Sequence, residues 1–186
     1  SGGRYYNRGI PELSAGVTKA SYYPGTLGVP ETALPKMANR SWRVGATLKA
    51  TPQTQGVVAA VGGESAGWSL YVDAERRPVF RYKAFHLQTL ELRGDQPLPP
   101  GERRVQVEFD YAGPGFGRGG ALKLTVDGRP AATGQLAVTS PSLLTIDETF
   151  DVGIDRGSAA GVYPAEPVTG FAFRGGEIGR VDIELR

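Results

Sequence analysis

Apolar and polar positions alternate with period two along most of this chain. Between Ser41 and Ala50, Trp42, Val44, Ala46 and Leu48 alternate with Arg43, Thr47 and Lys49, the pattern of a strand with one buried and one solvated face. Gly56–Gly62 (GVVAAVG) is an unbroken apolar run and predicts a further strand, buried on both faces. Alternation returns at Trp68–Asp73, and Asp73–Arg77 reads as a turn into Pro78–Tyr82. Phe85–Arg93 and Arg103–Tyr111 follow, joined by a loop holding Pro97, Pro99 and Pro100. Leu122–Val126 runs into Asp127-Gly128, a strong hairpin signal, with its partner at Ala131–Thr139. Asp151–Gly153 and Glu177–Leu185 complete about eleven or twelve strands. No window longer than about ten residues keeps helical spacing without Gly or Pro. The expectation is an all-β sandwich.

Residues 1–35 differ from the rest. They carry Pro11, Pro24, Pro30 and Pro35 together with Tyr5, Tyr6, Tyr22 and Tyr23. The prolines predict an extended arm, and the tyrosines supply the area to dock it on the sandwich, with a short strand near Val17–Tyr22. Residues 36–186 then form the sandwich, and the whole chain reads as one domain. At 186 residues such a domain buries roughly 70% of its unfolded surface, so it needs no covalent staples.

Composition narrows the chemistry. There is no cysteine, which excludes disulfides, Cys-based metal sites and a catalytic thiol. The one histidine excludes any site needing two. With 21 basic and 19 acidic side chains, net charge +2, the chain does not read as a nucleic-acid or membrane-surface binder. No apolar run approaches the ~20 residues of a membrane span, and no basic-then-apolar leader opens it.

Four features carry candidate chemistry. Gly63-Glu64-Ser65-Ala66-Gly67 matches G-x-S-x-G, but a nucleophile elbow joins a strand to a helix, and here a strand follows. His86 is the sole candidate base for Ser65, and its neighbours Phe85, Leu87 and Gln88 offer no orienting carboxylate. Asp147, Glu148, Asp151 and Asp155 place four carboxylates in one stretch. They are calcium candidates by oxygen count, although the spacing is not that of an EF-hand and Arg156 intrudes; the competing reading is turn capping. Gly113–Gly120 (GPGFGRGG) lacks the Lys-Ser or Lys-Thr pair of a phosphate loop and reads as a wide hairpin loop. Asn39-Arg40-Ser41 is a formal glycosylation sequon.

Several segments together resemble the C-terminal domain of bacterial arylsulfatases. They are Ser21–Gly25, Val29–Glu31, Asn39–Ser41, Gly56–Val58, Gly62-Gly63, Gly67–Val72, Pro97–Pro99, Glu108–Tyr111, the Gly-rich loop, Thr125–Gly128 and Asp147–Gly153. Each is weak alone; their collinear order spans nearly the whole chain. The resemblance implies a concanavalin-like or laminin-G-like jelly-roll sandwich of two antiparallel sheets. It also implies a non-catalytic accessory domain whose partner is a sulfatase catalytic domain in the same parent chain, in a bacterial cytoplasm or periplasm. The formylglycine signature of that catalytic domain is missing: the nearest match, Thr139–Leu144 (TSPSLL), lacks both the oxidisable residue and the arginine. His86-Leu87 departs from the family pattern.

A second reading comes from the sandwich itself. Such folds bind sugars through aromatic rings, and arginines suit sulfated glycans. Trp42, Trp68 and Tyr82 are the aromatic ligand candidates, although each also fits a core face of its strand. No cofactor other than calcium is expected, and no catalytic residue is assigned.

Overall fold

The computed structural model describes residues 16–63, 65–85, 87–142, 144, 149–164 and 170–186. The chain folds into two antiparallel sheets packed face to face. In chain order the strands are β1 (Lys19–Tyr22), β2 (Val29–Pro30), β3 (Trp42–Gly62), β4 (Gly67–Val72), β5 (Pro78–Ala84) and β6 (Gln88–Arg93). They continue with β7 (Gly101–Tyr111), β8 (Arg118–Val126), β9 (Arg129–Val138), β10 (Thr149–Val152) and β11 (Arg174–Leu185). A single turn of 3-10 helix, Glu31–Ala33, follows β2.

One strand belongs to both sheets. The first half of β3, Trp42–Ala50, lies between β11 and β7 in a sheet ordered β1-β11-β3-β7-β8-β9. Its second half, Gly56–Gly62, lies between β10 and β4 in a sheet ordered β2-β10-β3-β4-β5-β6. The two strands expected at Ser41–Ala50 and Gly56–Gly62 are therefore one continuous strand. The polar stretch between them, read as a break, is the bend where the strand changes sheets. Gly56 marks that point at φ +112°, and the backbone of Ala172 and Phe173 crosses so close that a Cβ would lie 2.4 Å from the Ala172 carbonyl oxygen.

The N-terminal arm, from Gly16 on, edges both sheets. Lys19–Tyr22 pairs with β11, and Val29–Pro30 pairs with β10. Tyr5, Tyr6 and Pro11 lie outside the described residues. The Asp127-Gly128 hairpin forms as expected, both residues having positive φ (51° and 80°), the conformation of the tight hairpin turn. The Gly-rich stretch departs from expectation, because β8 already begins at Arg118. A Cβ on Gly119 would collide with the Leu136 carbonyl and one on Gly120 with the Asp110 carbonyl. Those glycines serve close strand approach rather than loop mobility.

The core between the sheets is an unbroken aromatic row. Tyr22 packs edge-on to Phe150 (4.8 Å), Phe150 meets Trp68, Trp68 meets Phe80, and Trp42 joins Phe80 (5.9 Å) to Phe109 (5.4 Å). A smaller core of Val57, Ala60, Tyr71, Val79 and Phe171 lies on the other side of the second sheet. Tyr163 and Phe171 cover the sheet there, so GVVAAVG is buried on both faces as its composition predicts.

Candidate functional site

Charge is distributed differently on the two outer sheet faces. On the β1-containing sheet, cations meet acids. Arg43 Nε lies 2.5 Å from Glu108 Oε1, Arg186 Nη1 2.8 Å from Asp110 Oδ1, and Arg104 Nη1 2.9 Å from Asp182 Oδ2. Arg180 also reaches Asp182, and Lys123 reaches Glu108. The hydrogen bond from Arg43 holds the Glu108 carboxyl below the ordinary glutamate range. Most cations of this face are paired, although Lys19, opposite Glu184 on β11, makes no ion pair among the described residues.

The outer face of β4, β5 and β6 differs. Alternation along β5 points Phe80, Tyr82 and Ala84 inward and leaves Arg81 and Lys83 half-buried on the outer face. Arg81 stands between Ser69 and Glu91, and Lys83 between Gly67 and Thr89. Glu91 is engaged by Arg93, 2.7 Å away, and Arg93 is also paired with Asp73. Among the described residues, neither Arg81 nor Lys83 makes an ion pair. The Tyr163 hydroxyl bounds this face at one side, donating across 2.6 Å to Asp155 Oδ2 and lying 2.9 Å from Ser69 Oγ. Beyond it, Asp73, Glu75, Arg93 and Tyr163 line an open depression. Two cations that make no ion pair among the described residues, with the exposed Thr89 beside Lys83, can hold an anionic ligand on this sheet.

The three aromatic candidates lie elsewhere. Trp42 and Trp68 are 3% and 1% exposed and Tyr82 6%, so none offers a ring face to solvent. They converge instead on one cavity of about 270 Å³ between the sheets at the end where the Leu34–Asn39 and Thr139–Ser142 segments cross. Tyr82 accepts a hydrogen bond from the Ser140 N–H (3.1 Å), and burial pushes its hydroxyl up to about 12.

The carboxylate candidates act locally. Asp151 accepts hydrogen bonds from the Gly28 N–H (2.8 Å) and from Arg156 Nε (3.1 Å). Asp155 accepts from the Ala160 N–H (2.8 Å) and from Tyr163. Each ties a loop to the sandwich. Among the described residues no group of three or more acidic or histidine side chains converges as a metal site; Asp147 and Glu148 lie outside them, as does His86. Ser65 is exposed in the turn joining β3 to β4, where the Gly63 N–H bonds to the Ala66 carbonyl (2.8 Å). Sequence reasoning missed Arg81 and Lys83. The available signal was two cations on the polar phase of an alternating strand, and their lack of partners is visible only in the sheet.

No family model and no curated protein sequence matches the chain. Solved structures do. The Ruminococcus gnavus IT-sialidase CBM40 bound to α2,3-sialyllactose is 17% identical, with 79% of this chain and 76% of that one covered and a TM-score of 0.56. Domains LG4-5 of the mouse laminin α1 chain are 12% identical over 91% of this chain, with a TM-score of 0.52. This chain spans 40% of that laminin chain. A leech intramolecular trans-sialidase complexed with 2,7-anhydro-Neu5Ac is 14% identical, with 90% of this chain and 25% of that one covered and a TM-score of 0.52. The likeness shows the fold: a laminin-G-like jelly-roll sandwich. None of these is a sulfatase domain.

Proposed function

We propose that this chain is a non-catalytic carbohydrate-binding module that takes acidic glycans on the outer face of β4, β5 and β6. The observation that carries the reading is the pair Arg81 and Lys83, which make no ion pair among the described residues because Glu91 beside Arg81 is taken by Arg93, while most cations of the opposite face are paired with acids. A guanidinium forks onto a carboxylate or sulfate, and the exposed hydroxyl of Thr89 beside Lys83 suits a sugar hydroxyl. The fold is also that of a sialidase-associated module whose structure holds sialyllactose. Calorimetry of the full chain with 3′-sialyllactose, lactose and a sulfated disaccharide tests it. Acidic sugars should bind at least tenfold more tightly than lactose, more weakly as salt rises, and Arg81→Ala should lose about tenfold or more at unchanged thermal stability. Equal binding of lactose, undiminished binding by Arg81→Ala, or no binding at all overturns the reading.

The collinear arylsulfatase-like motifs support one further setting for the module, beside a sulfatase catalytic domain in a longer parent chain. There it holds the sulfated glycan while the catalytic domain cuts. A parent reading frame without a sulfatase domain removes that setting and leaves the glycan reading intact.

A further inference from the structure

We infer that the interior cavity is a binding site for a compact, largely apolar ring compound bearing one hydrogen-bond acceptor, received by the Tyr82 hydroxyl. Native interiors are packed at crystal density, with few voids larger than a water molecule; this one measures about 270 Å³. An apolar cavity of about 150 Å³ accepts benzene, so the space here suits a fused bicyclic of roughly ten to fourteen non-hydrogen atoms. The walls match that class: Trp42, Trp68 and Phe109 supply ring surface, and Leu34, Met37 and Leu144 supply aliphatic surface. The rim includes Lys36, Pro141 and Ser142, all exposed, which gives the cavity a mouth.

The polar handle is specific. The Tyr82 oxygen accepts a hydrogen bond from the Ser140 N–H, and among the described residues no acceptor takes its proton. Burial, reinforced by the charge of Glu31, keeps that proton on the oxygen. The hydroxyl is therefore a donor without an acceptor in a cavity whose wall is mostly apolar, its polar part supplied by Glu31, Thr32, Asn39 and Thr139, which selects a carbonyl or ether oxygen over a bare hydrocarbon. This site is separate from the outer-face patch and stands whether or not that patch binds sugar.

Both tryptophans of the chain line the cavity, so intrinsic fluorescence reads occupancy directly. Titration of the full chain with 2-acetylnaphthalene should give saturable quenching, with 2-ethylnaphthalene, which lacks the acceptor, bound about tenfold more weakly. Tyr82→Phe should erase that difference while binding 2-ethylnaphthalene as the parent does. Ala38→Phe, which fills the cavity from its wall, should bind either probe at least tenfold more weakly with an unchanged far-ultraviolet circular dichroism spectrum. Unsaturable quenching, equal affinity of the parent for the two naphthalenes, or full-strength binding by folded Ala38→Phe overturns the inference. If a variant does not fold, the comparison of the two probes on the parent decides.

Discussion

Arg104 reaches Asp182 across the bare Cα of Gly45. Its guanidinium, 2.9 Å from the carboxylate, lies over the middle of β3, where a Cβ on Gly45 would approach Arg104 Nη2 to 2.5 Å. A glycine in a strand interior weakens the strand by about 0.5–1 kcal/mol; here its absent side chain is the passage for an ion pair linking β7 to β11. Gly45→Ala should displace Arg104 and cost about 1 kcal/mol by urea denaturation, since Ser21 and Arg180 still reach Asp182. In an Arg104→Ala background the same change should be neutral or stabilising. That reversal of sign separates a passage from a simple packing defect.

Acid should weaken the fold through this same face. Burial works to raise the Asp182 carboxyl, but the Ser21 hydroxyl and the Arg104 guanidinium outweigh it and hold it below the ordinary aspartate range. Glu108 is lowered chiefly by Arg43. A depressed folded value means stability that is fully present above the unfolded pKa and is lost as pH falls through the folded one. Urea midpoints measured down the acid limb should fall in the parent and fall less steeply in Asp182→Asn and Glu108→Gln.

The bend in β3 should tolerate no side chain. Gly56→Ala combines a left-handed backbone with a collision against the Ala172 carbonyl and Phe173 Cα, and should cost about 3 kcal/mol or more. Gly128 also has positive φ, at +80°, but nothing lies within 4 Å of its Cβ position. Gly128→Ala should cost only the conformational penalty of about 1 kcal/mol. Chemical denaturation of the two variants separates backbone strain from steric exclusion.

Tyr163 pins the outer covering of the second sheet. Phe in its place leaves Asp155, itself 3% exposed, without one of its donors, and should cost about 1–3 kcal/mol. Burial, and then the charge of Asp155, raise the Tyr163 hydroxyl far above an ordinary tyrosine. A raised folded value favours the protonated native state, so stability should be flat below the unfolded tyrosine pKa of about 10 and fall above it. Tyr163→Phe should flatten that alkaline decline in denaturant melts taken across pH.

The period-two alternation of Trp42–Leu48 and of Trp68–Val72, the Asp127-Gly128 turn and the doubly apolar GVVAAVG run determined the fold class by themselves. Each reports a local demand: which face of a strand meets water, where φ must be positive, and whether both faces are covered. Absent cysteines and a single histidine likewise excluded whole chemistries without coordinates. Local pattern could not say that β3 continues through its polar bend, because a polar stretch between apolar runs reads the same whether the chain turns back or crosses between sheets. Nor could it assign Trp42, Trp68 and Tyr82 to a cavity rather than an exposed platform, since an apolar strand face becomes core, pocket wall or surface only when the opposite sheet arrives. Arg81 and Lys83 show the same limit in charge. A cation on the polar side of a strand is neutralised or left open by whatever lies opposite it on the neighbouring strands, and that pairing exists only in the tertiary structure.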